Sequence, residues 1–330
     1  EDWTIFGLRA VRTAFDSTWA VFADRLAAPS LDSGEVELVR AQMLAGARAL
    51  RDSPDELVEY LADSAAFAGH PYALAAGGTE RSLARISLPD LRRYRDSQLV
   101  TSRMLLVVVG NVERARVERL VAATIGKLPR GAYKWAPPPD PGARTAGLTV
   151  VQRALPTNYL RAYYTGPSAS SPDYQALRVA SAVLTGRLFT EIRSRRNLTY
   201  AVEAPFVERA ISAGGLYVTT VSPDTTVALM RSEVARLKAN LIDPVGLARL
   251  VQGFITEYFL NTETNAEQGD FLARAELYRG DYRVADRFVD EMRRVTPGDV
   301  RRVATKYMRD MRWVLVGDPS RLNRARITAF

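Results

Sequence analysis

The chain has 330 residues, 45 Lys+Arg against 37 Asp+Glu, a formal net charge of +8, one His and no Cys. At roughly 100–200 residues per domain this length suits two domains, and 47% hydrophobic with 25% charged residues is ordinary globular usage, which argues against a disordered or fibrous protein. The lack of Cys excludes a disulfide frame, a thiolate zinc site and a cysteine nucleophile, and a single His excludes a His-pair metal site within these residues. Only Lys127, Lys134, Lys238 and Lys306 are lysines. The arginines lie scattered beside Asp and Glu rather than in a basic tail, so a solvated Arg-rich surface is expected and nucleic-acid binding is not. The longest apolar run, Met104–Val109, is far too short for a spanning helix, so no membrane span is expected. The sequence opens on Glu1 without a signal-like stretch, and its true start is expected to lie elsewhere.

In chain order, Trp19, Phe22, Ala23 and Leu26 recur at helical spacing, as do Val36, Val39, Met43 and Ala47. Ser53-Pro54-Asp55-Glu56 reads as an N-cap, a Pro in the first turn and acidic first-turn residues. A loop over Gly69–Thr79 follows, and Pro89-Asp90 opens another helix. Met104–Val109 reads as a strand closed by Gly110-Asn111, and Arg114–Ile125 as a helix. Pro129, Pro137, Pro138, Pro139 and Pro141 mark residues 128–146 as an extended linker. Beyond it, Leu148–Val151 and Tyr159–Tyr164 read as strands, Ser171-Pro172-Asp173 starts a helix through Leu184, and Tyr200–Val207 and Gly215–Val221 read as a strand pair. About four helices and the strand Trp313–Val316 complete the pattern.

The two sides of the linker repeat each other. Ser87–Tyr94 (SLPDLRRY) matches Thr296–Val303 (TPGDVRRV), and Met104–Asn111 (MLLVVVGN) matches Met311–Asp318 (MRWVLVGD). Asp90 pairs with Asp299 at an offset of 209 and Gly110 with Gly317 at 207, while Asp32 with Asp243 and Gly69 with Gly280 share an offset of 211. Matches in this order imply an internal duplication and an α+β class, with a truncated first domain at 1–127, the linker at 128–146 and a second domain at 147–330. The second copy begins near Gly147, so the first is expected to begin about 60 residues before Glu1 and to show an incomplete sheet.

Arg187–Val202 (RLFTEIRSRRNLTYAV) resembles the pattern R-L-F-x-E-L-R-E-x-R-G-L-x-Y-x-V of the insulinase/pitrilysin-type zinc peptidases, a family that includes mitochondrial processing peptidase and the core subunits of the cytochrome bc1 complex. The loop at Gly69–Thr79 and the strand end at Gly110 resemble the first domain of that family. The resemblance implies a clamshell of two homologous α+β domains. It also implies a zinc helix H-x-x-E-H in the first domain, whose Glu activates water. From the second domain it implies an Arg and a Tyr seven residues apart that contact the peptide substrate. These two fall on Arg193 and Tyr200. A guanidinium and a phenol can both donate to a peptide carbonyl and to the oxyanion formed as water attacks. Taken without the motif, Arg193 reads as a surface ion-pair partner and Tyr200 as a strand residue with a satisfied hydroxyl.

The zinc side of the resemblance does not carry over. The only His is His70, which reads as a structural hydrogen-bonder in its loop, and H-x-x-E-H is absent. The family's distal Glu ligand would fall near Leu44, Ala45, Gly46 and Ala47, where no carboxylate stands; Glu35, Glu37 and Glu56 lie too far along. The glycine-rich stretch that often precedes the R-L-F motif is compressed to Leu184–Phe189, and Asn197 replaces a Gly, as a residue that tolerates left-handed backbone. The expectation is a zinc-less subunit that binds no cofactor and lends its Arg193/Tyr200 half-site to a homologous zinc-bearing peptidase partner. A non-catalytic scaffold of the same fold and a fragment of an active zinc peptidase are the alternatives. An Arg-rich, Lys-poor chain without Met at its start suits a processed protein of the bacterial periplasm or cell envelope.

Overall fold

The structure, a computed structural model, describes residues 2–330. Its helices are α1 (Phe15–Ala27), α2 (Ser33–Asp52), α3 (Pro54–Ala66), α4 (Glu80–Leu83), α5 (Leu88–Gln98), α6 (Arg114–Ala123), α7 (Asp173–Leu188), α8 (Pro223–Ala239), α9 (Pro244–Leu260), α10 (Asn265–Arg279), α11 (Phe288–Arg293), α12 (Pro297–Tyr307) and α13 (Arg324–Ile327). Its strands are β1 (Gly147–Gln152), β2 (Asn158–Ser168), β3 (Val202–Glu203), β4 (Phe206–Val207), β5 (Ile211–Thr220) and β6 (Arg312–Gly317). The chain separates into two compact units. One comprises residues up to Arg48, Gly77–Pro137 and Leu260–Ala285; the other comprises Ala49–Ala76, Pro138–Phe259 and Asp286–Phe330. These are not the contiguous stretches 1–127 and 147–330 that the repeat suggests. Segment 49–76 sits with the later strands and segment 260–285 with the earlier helices, and the two segments begin one repeat offset of 211 residues apart.

The second unit is built on one mixed sheet of order β1-β6-β2-β5-β3, with β4 also paired to β5. β1 runs parallel to β6, and β2 is antiparallel to both β6 and β5. Alternation sends Tyr159, Arg161 and Tyr163 of β2 to one face and Leu160, Ala162 and Tyr164 to the other. α7 and α12 pack against β2 as well as against each other. Gly214 and Gly215 let β5 pass β2 closely, since a Cβ at 215 would stand 2.1 Å from the Ala162 carbonyl oxygen. The long run expected over Tyr200–Val207 is instead the two short strands β3 and β4. Pro205 lies between them and has no N–H to give a ladder.

α3 covers the sheet face that carries Tyr163. Its Leu57, Val58, Ala62 and Ala66 bury against Tyr163, Tyr217, Val314 and Val316. The helix starts as its sequence reads, with the Ser53 hydroxyl accepting from the Glu56 N–H and Pro54 in the first turn. Its acids rise one turn at a time. Asp55 accepts from the Tyr217 hydroxyl at 2.7 Å, Glu59 stands 3.8 Å from Arg161, and Asp63 takes both Nη atoms of Arg209 at 3.0 and 2.5 Å. Burial, reinforced by Asp55, pushes the Tyr217 phenol up.

α7 is clamped to α12 at Asp173, its first residue. Its carboxylate accepts from Arg302 at 2.5 Å and from Lys306 and Tyr307 at 2.9 Å, all on α12. Burial alone would raise its pKa, but the hydrogen bonds from Lys306, Arg302 and Tyr307 outweigh that and hold it at about 2.

In the first unit, α1 buries Phe15, Trp19, Ala23 and Leu26 against Val117 and Ile125, with the Trp19 indole donating to the Thr124 hydroxyl at 3.0 Å. The expected strand Met104–Val109 is not one. No residue from 104 to 110 is paired in a sheet, although the preceding Thr101 and Ser102 amides reach the carbonyls of Pro129 and Arg130. Residues 129–146 form neither helix nor strand, as the prolines require.

The matched repeat positions share local geometry. Ser87 and Asp90 form a capping box at α5, and Thr296 and Asp299 form the same box at α12. Asp32 accepts from the Gly34 amide at 2.8 Å, as Asp243 does from Gly246. Gly69 and Gly280 have φ of 80° and 71°, and Gly110 and Gly317 have φ of 144° and 147°.

Two measurements check the packing. Arg209→Ala leaves the partly buried Asp63 carboxylate without its partner, and chemical denaturation should show a loss of about 2–3 kcal/mol; a loss below about 1 kcal/mol contradicts the account. Asp173 has a folded pKa below its ordinary 3.8, so its contribution is full above pH about 4 and is lost as pH falls through about 2. Asp173→Asn should therefore cost about 1–2 kcal/mol at pH 7, discounted because Arg302 and Lys306 are half exposed, and its stability should converge on that of the parent near pH 2.

Candidate functional site

The Arg/Tyr motif lies where α7 ends. The helix does not stop at Leu188 but widens into a π-helical turn over Phe189–Ser194. One such turn inside or at the end of an α-helix is a frequent feature of functional sites. The Arg195 amide reaches back to the Thr190 carbonyl at 3.0 Å, and Ile192 is fully buried beneath the turn. Asn197 then takes φ of 53°, the left-handed geometry for which an Asn in place of Gly is suited. Glu191 accepts from Arg196 and Arg195, and these hydrogen bonds, Arg196 foremost, hold its carboxyl below the usual range. Thr185 and Gly186 continue α7, so the compressed glycine stretch is helix rather than a glycine loop.

The return segment is fixed just as firmly. The Thr199 hydroxyl donates to the Thr219 carbonyl at 2.5 Å, and the Thr220 hydroxyl donates to the Leu198 carbonyl at 3.0 Å. Tyr200 sits in a bend between the buried Thr199 and β3, and its side chain is 88% exposed. Arg193 Nη1 donates to the Tyr200 backbone carbonyl at 2.8 Å, which closes the seven-residue spacing into a loop. The guanidinium also lies 5.0 Å from the centroid of the half-exposed Phe189 ring.

The structure thus brings Arg193 and Tyr200 together, but through the tyrosine's backbone. Among the described residues Arg193 has no ion-pair partner and the Tyr200 hydroxyl has no hydrogen bond, so neither surface reading of the pair describes it. What remains available is a phenol O–H and the other guanidinium N–H groups on a rigid turn. Such a set can donate to a carbonyl; Glu191, the carboxylate of this turn, is engaged by two arginines. Sequence reading missed Phe189, whose place in the R-L-F motif was its signal. It also missed a groove of about 290 Å³ between Val183 and Arg187 of α7 and Ile242 and Leu247 around the start of α9. Burial lowers the pKa of Arg187 there.

The residues present do not suit a catalytic zinc. His70 is buried, its Nδ1 accepting from the Tyr72 amide at 3.1 Å and its Nε2 meeting the Pro139 carbonyl at 3.0 Å, so both ring nitrogens are engaged. Residues 44–47 of α2 offer no carboxylate, and Glu37 is turned to Arg40. Among the described residues no three His, Asp or Glu side chains form a group that could hold a metal ion.

Comparison with known proteins places this geometry. The family model described as the peptidase M16 inactive domain matches residues 85–254, just over half of the chain. Mitochondrial-processing peptidase subunit beta of Blastocladiella emersonii is 28% identical over 164 residues, which is 50% of this chain and 35% of that protein. Cytochrome b-c1 complex subunit 1 of Caenorhabditis elegans is 23% identical over 316 residues, covering 90% of this chain and 67% of its own. An uncharacterized zinc protease of Mycobacterium leprae is 26% identical over 281 residues, 82% of this chain and 63% of that one. The chain therefore spans between about a third and two thirds of the length of these relatives. Among solved structures, a peptidase M16 inactive domain from Pseudomonas fluorescens superposes with a TM-score of 0.83 at 21% identity, covering 95% of this chain and 77% of that one. A protease from Helicobacter pylori gives 0.80 at 17% identity, with 94% and 78% covered. These likenesses carry the fold, a mixed arrangement of helices and sheet. As the Arg187–Val202 motif led us to expect, and with the inactive-domain model spanning just over half of its length, the chain belongs to the peptidase M16 family.

Proposed function

We propose that the chain is a non-catalytic peptidase-family subunit that lends a substrate-binding half-site, Arg193 and Tyr200, to a homologous zinc-bearing peptidase. The observation that carries this reading is the uncommitted donor set. A phenol exposed by 88% and a guanidinium without a carboxylate stand on a turn pinned by Ile192, Thr199 and Thr220. Donors held this way need no reorganisation when a peptide carbonyl arrives, and their hydrogen bonds strengthen as negative charge grows on its oxygen. Phe189 offers an apolar surface next to them. The metal and the base that activates water would come from the partner, because His70 and the α2 segment near Gly46 offer no equivalent donors. Similarity to a processing-peptidase subunit and to a zinc protease supports such a pairing. We further propose that the two units are homologous domains and that the protein works in the bacterial periplasm or envelope. Among the described residues no helix is long and apolar enough to cross a membrane.

The test is peptide hydrolysis by the zinc-bearing partner with and without this chain. Tyr200→Phe should lower kcat/KM by about 10- to 100-fold, and Arg193→Ala by at least as much. The melting temperature of Tyr200→Phe should stay within about 1 °C of the parent, because the lost hydroxyl faces water. Unchanged hydrolysis in both variants would leave the second reading, a scaffold. That reading is favoured by the similarity to a cytochrome b-c1 core subunit over 90% of the chain, and in it the Arg193 bond to the Tyr200 carbonyl only locks the turn.

A further inference from the structure

The groove between α7 and α9 carries a charge that the second unit leaves without a counter-ion. Val183, Gly186 and Arg187 share one face of α7, opposite Ile242, Leu247 and Leu250 around the start of α9. Gly186 keeps the space open, since a Cβ there would meet nothing within 4 Å. The lining is apolar except at Asp243 and Arg187. Asp243 is engaged, its carboxylate accepting from the Gly246 amide at 2.8 Å and so capping α9. Arg187 is not. It is partly buried, and among the described residues it makes neither a hydrogen bond nor an ion pair. Glu233 of α8 attracts it from a distance, but that carboxylate is taken by Arg236 at 2.9 Å, and Arg236 in turn repels Arg187. A guanidinium withdrawn from water without an anion is costly, and a bound carboxylate would relieve that cost through charge-assisted hydrogen bonds.

We propose that this groove binds the carboxy-terminal end of a peptide whose last residue is apolar, with the carboxylate on Arg187 and the side chain among Val183, Leu247 and Leu250. Charge and lining together select this ligand. An inorganic anion would meet the guanidinium but gain nothing from the hydrocarbon walls, and a neutral apolar side chain would leave Arg187 unpaired. Size and shape narrow the class further. At about 290 Å³ the groove is at the small end of ligand sites, with room for about two residues, and it opens to solvent, so the preceding chain can run out of it. Leu241 and Val245, next to Ile242 and Gly246 in sequence, are each 57% exposed and offer that chain an apolar surface. A fatty acid has no such use for an open groove, since the tail beyond it would stay in water. Hydrolysis of a peptide bond creates a carboxylate of the required kind, so the ligand class coincides with the products of a peptidase. The site itself uses neither Arg193 nor Tyr200.

Calorimetric titration of the 330-residue chain with an acetylated dipeptide ending in leucine tests this. The free acid should bind with a Kd below about 1 mM, and the same dipeptide with an amidated end at least about 10-fold more weakly. Arg187→Met should abolish the difference between acid and amide, while its melting temperature stays within about 3 °C of the parent or rises, because no partner inside the fold is lost. Gly186→Leu puts a better helix former where a Cβ meets nothing, so it should fill the groove and weaken binding at least about 10-fold with the melting temperature maintained. Arg193→Ala should leave the affinity unchanged, which separates this site from the half-site proposed above. Equal binding of acid and amide, no binding by about 10 mM, or undiminished binding in either groove variant overturns the proposal. A larger fall in the melting temperature of Arg187→Met would show the guanidinium already engaged within the fold and overturns it as well. So does loss of binding in Arg193→Ala, and decanoate binding more tightly than the peptide would make the occupant a fatty acid, with the same result.

Discussion

The docking of α3 on the sheet decides much of the second unit. Two arginines, Arg161 on β2 and Arg209 in the turn between β4 and β5, are over 90% removed from water, a position that is tolerable only where carboxylates meet them. α3 brings those carboxylates at one-turn intervals, on the same side as its Leu and Ala residues. The apolar and ionic contacts therefore select the same register, and a rotation of the helix by one residue would lose both. With that face closed, the opposite one is held by α7, and α7 is held at its first residue by Asp173 and α12. The π-helical turn that presents Arg193 is the direct continuation of α7, so the placing of the donor pair descends from these two clamps.

Much of this is legible in the sequence where a signal is local. The caps at Ser53, Ser87 and Thr296 need only a hydroxyl, a proline and an acid in a few residues, and each forms as written. β1, β2 and β6 are legible as apolar runs. Met104–Val109 carries the same pattern, but a pattern describes the strand and not its neighbours, and a ladder needs both. The exchange of segments 49–76 and 260–285 escapes for a related reason. Repetition says which helices are equivalent, not which sheet each one covers.

In the candidate site, the seven-residue spacing of Arg193 and Tyr200 was visible and their meeting was not. The acceptor that joins them is a backbone carbonyl, which every residue possesses, and its aim depends on a π turn that changes the register by one residue. Phe189 was in plain view within R-L-F, yet its ring reads as one more core residue until the turn leaves it at the surface.

The interleaving of the units also governs how the chain can be divided. It passes from one unit to the other five times, at residues 48–49, 76–77, 137–138, 259–260 and 285–286. No contiguous stretch encodes either unit, so a proteolytic nick in the proline-rich segment severs one connection and leaves four. The fragments would stay associated through α3 and α10, and expressing either half alone would strip each of the helix lent by the other. Synthesis from the ribosome meets the same constraint, because α3 emerges long before the strands it must cover.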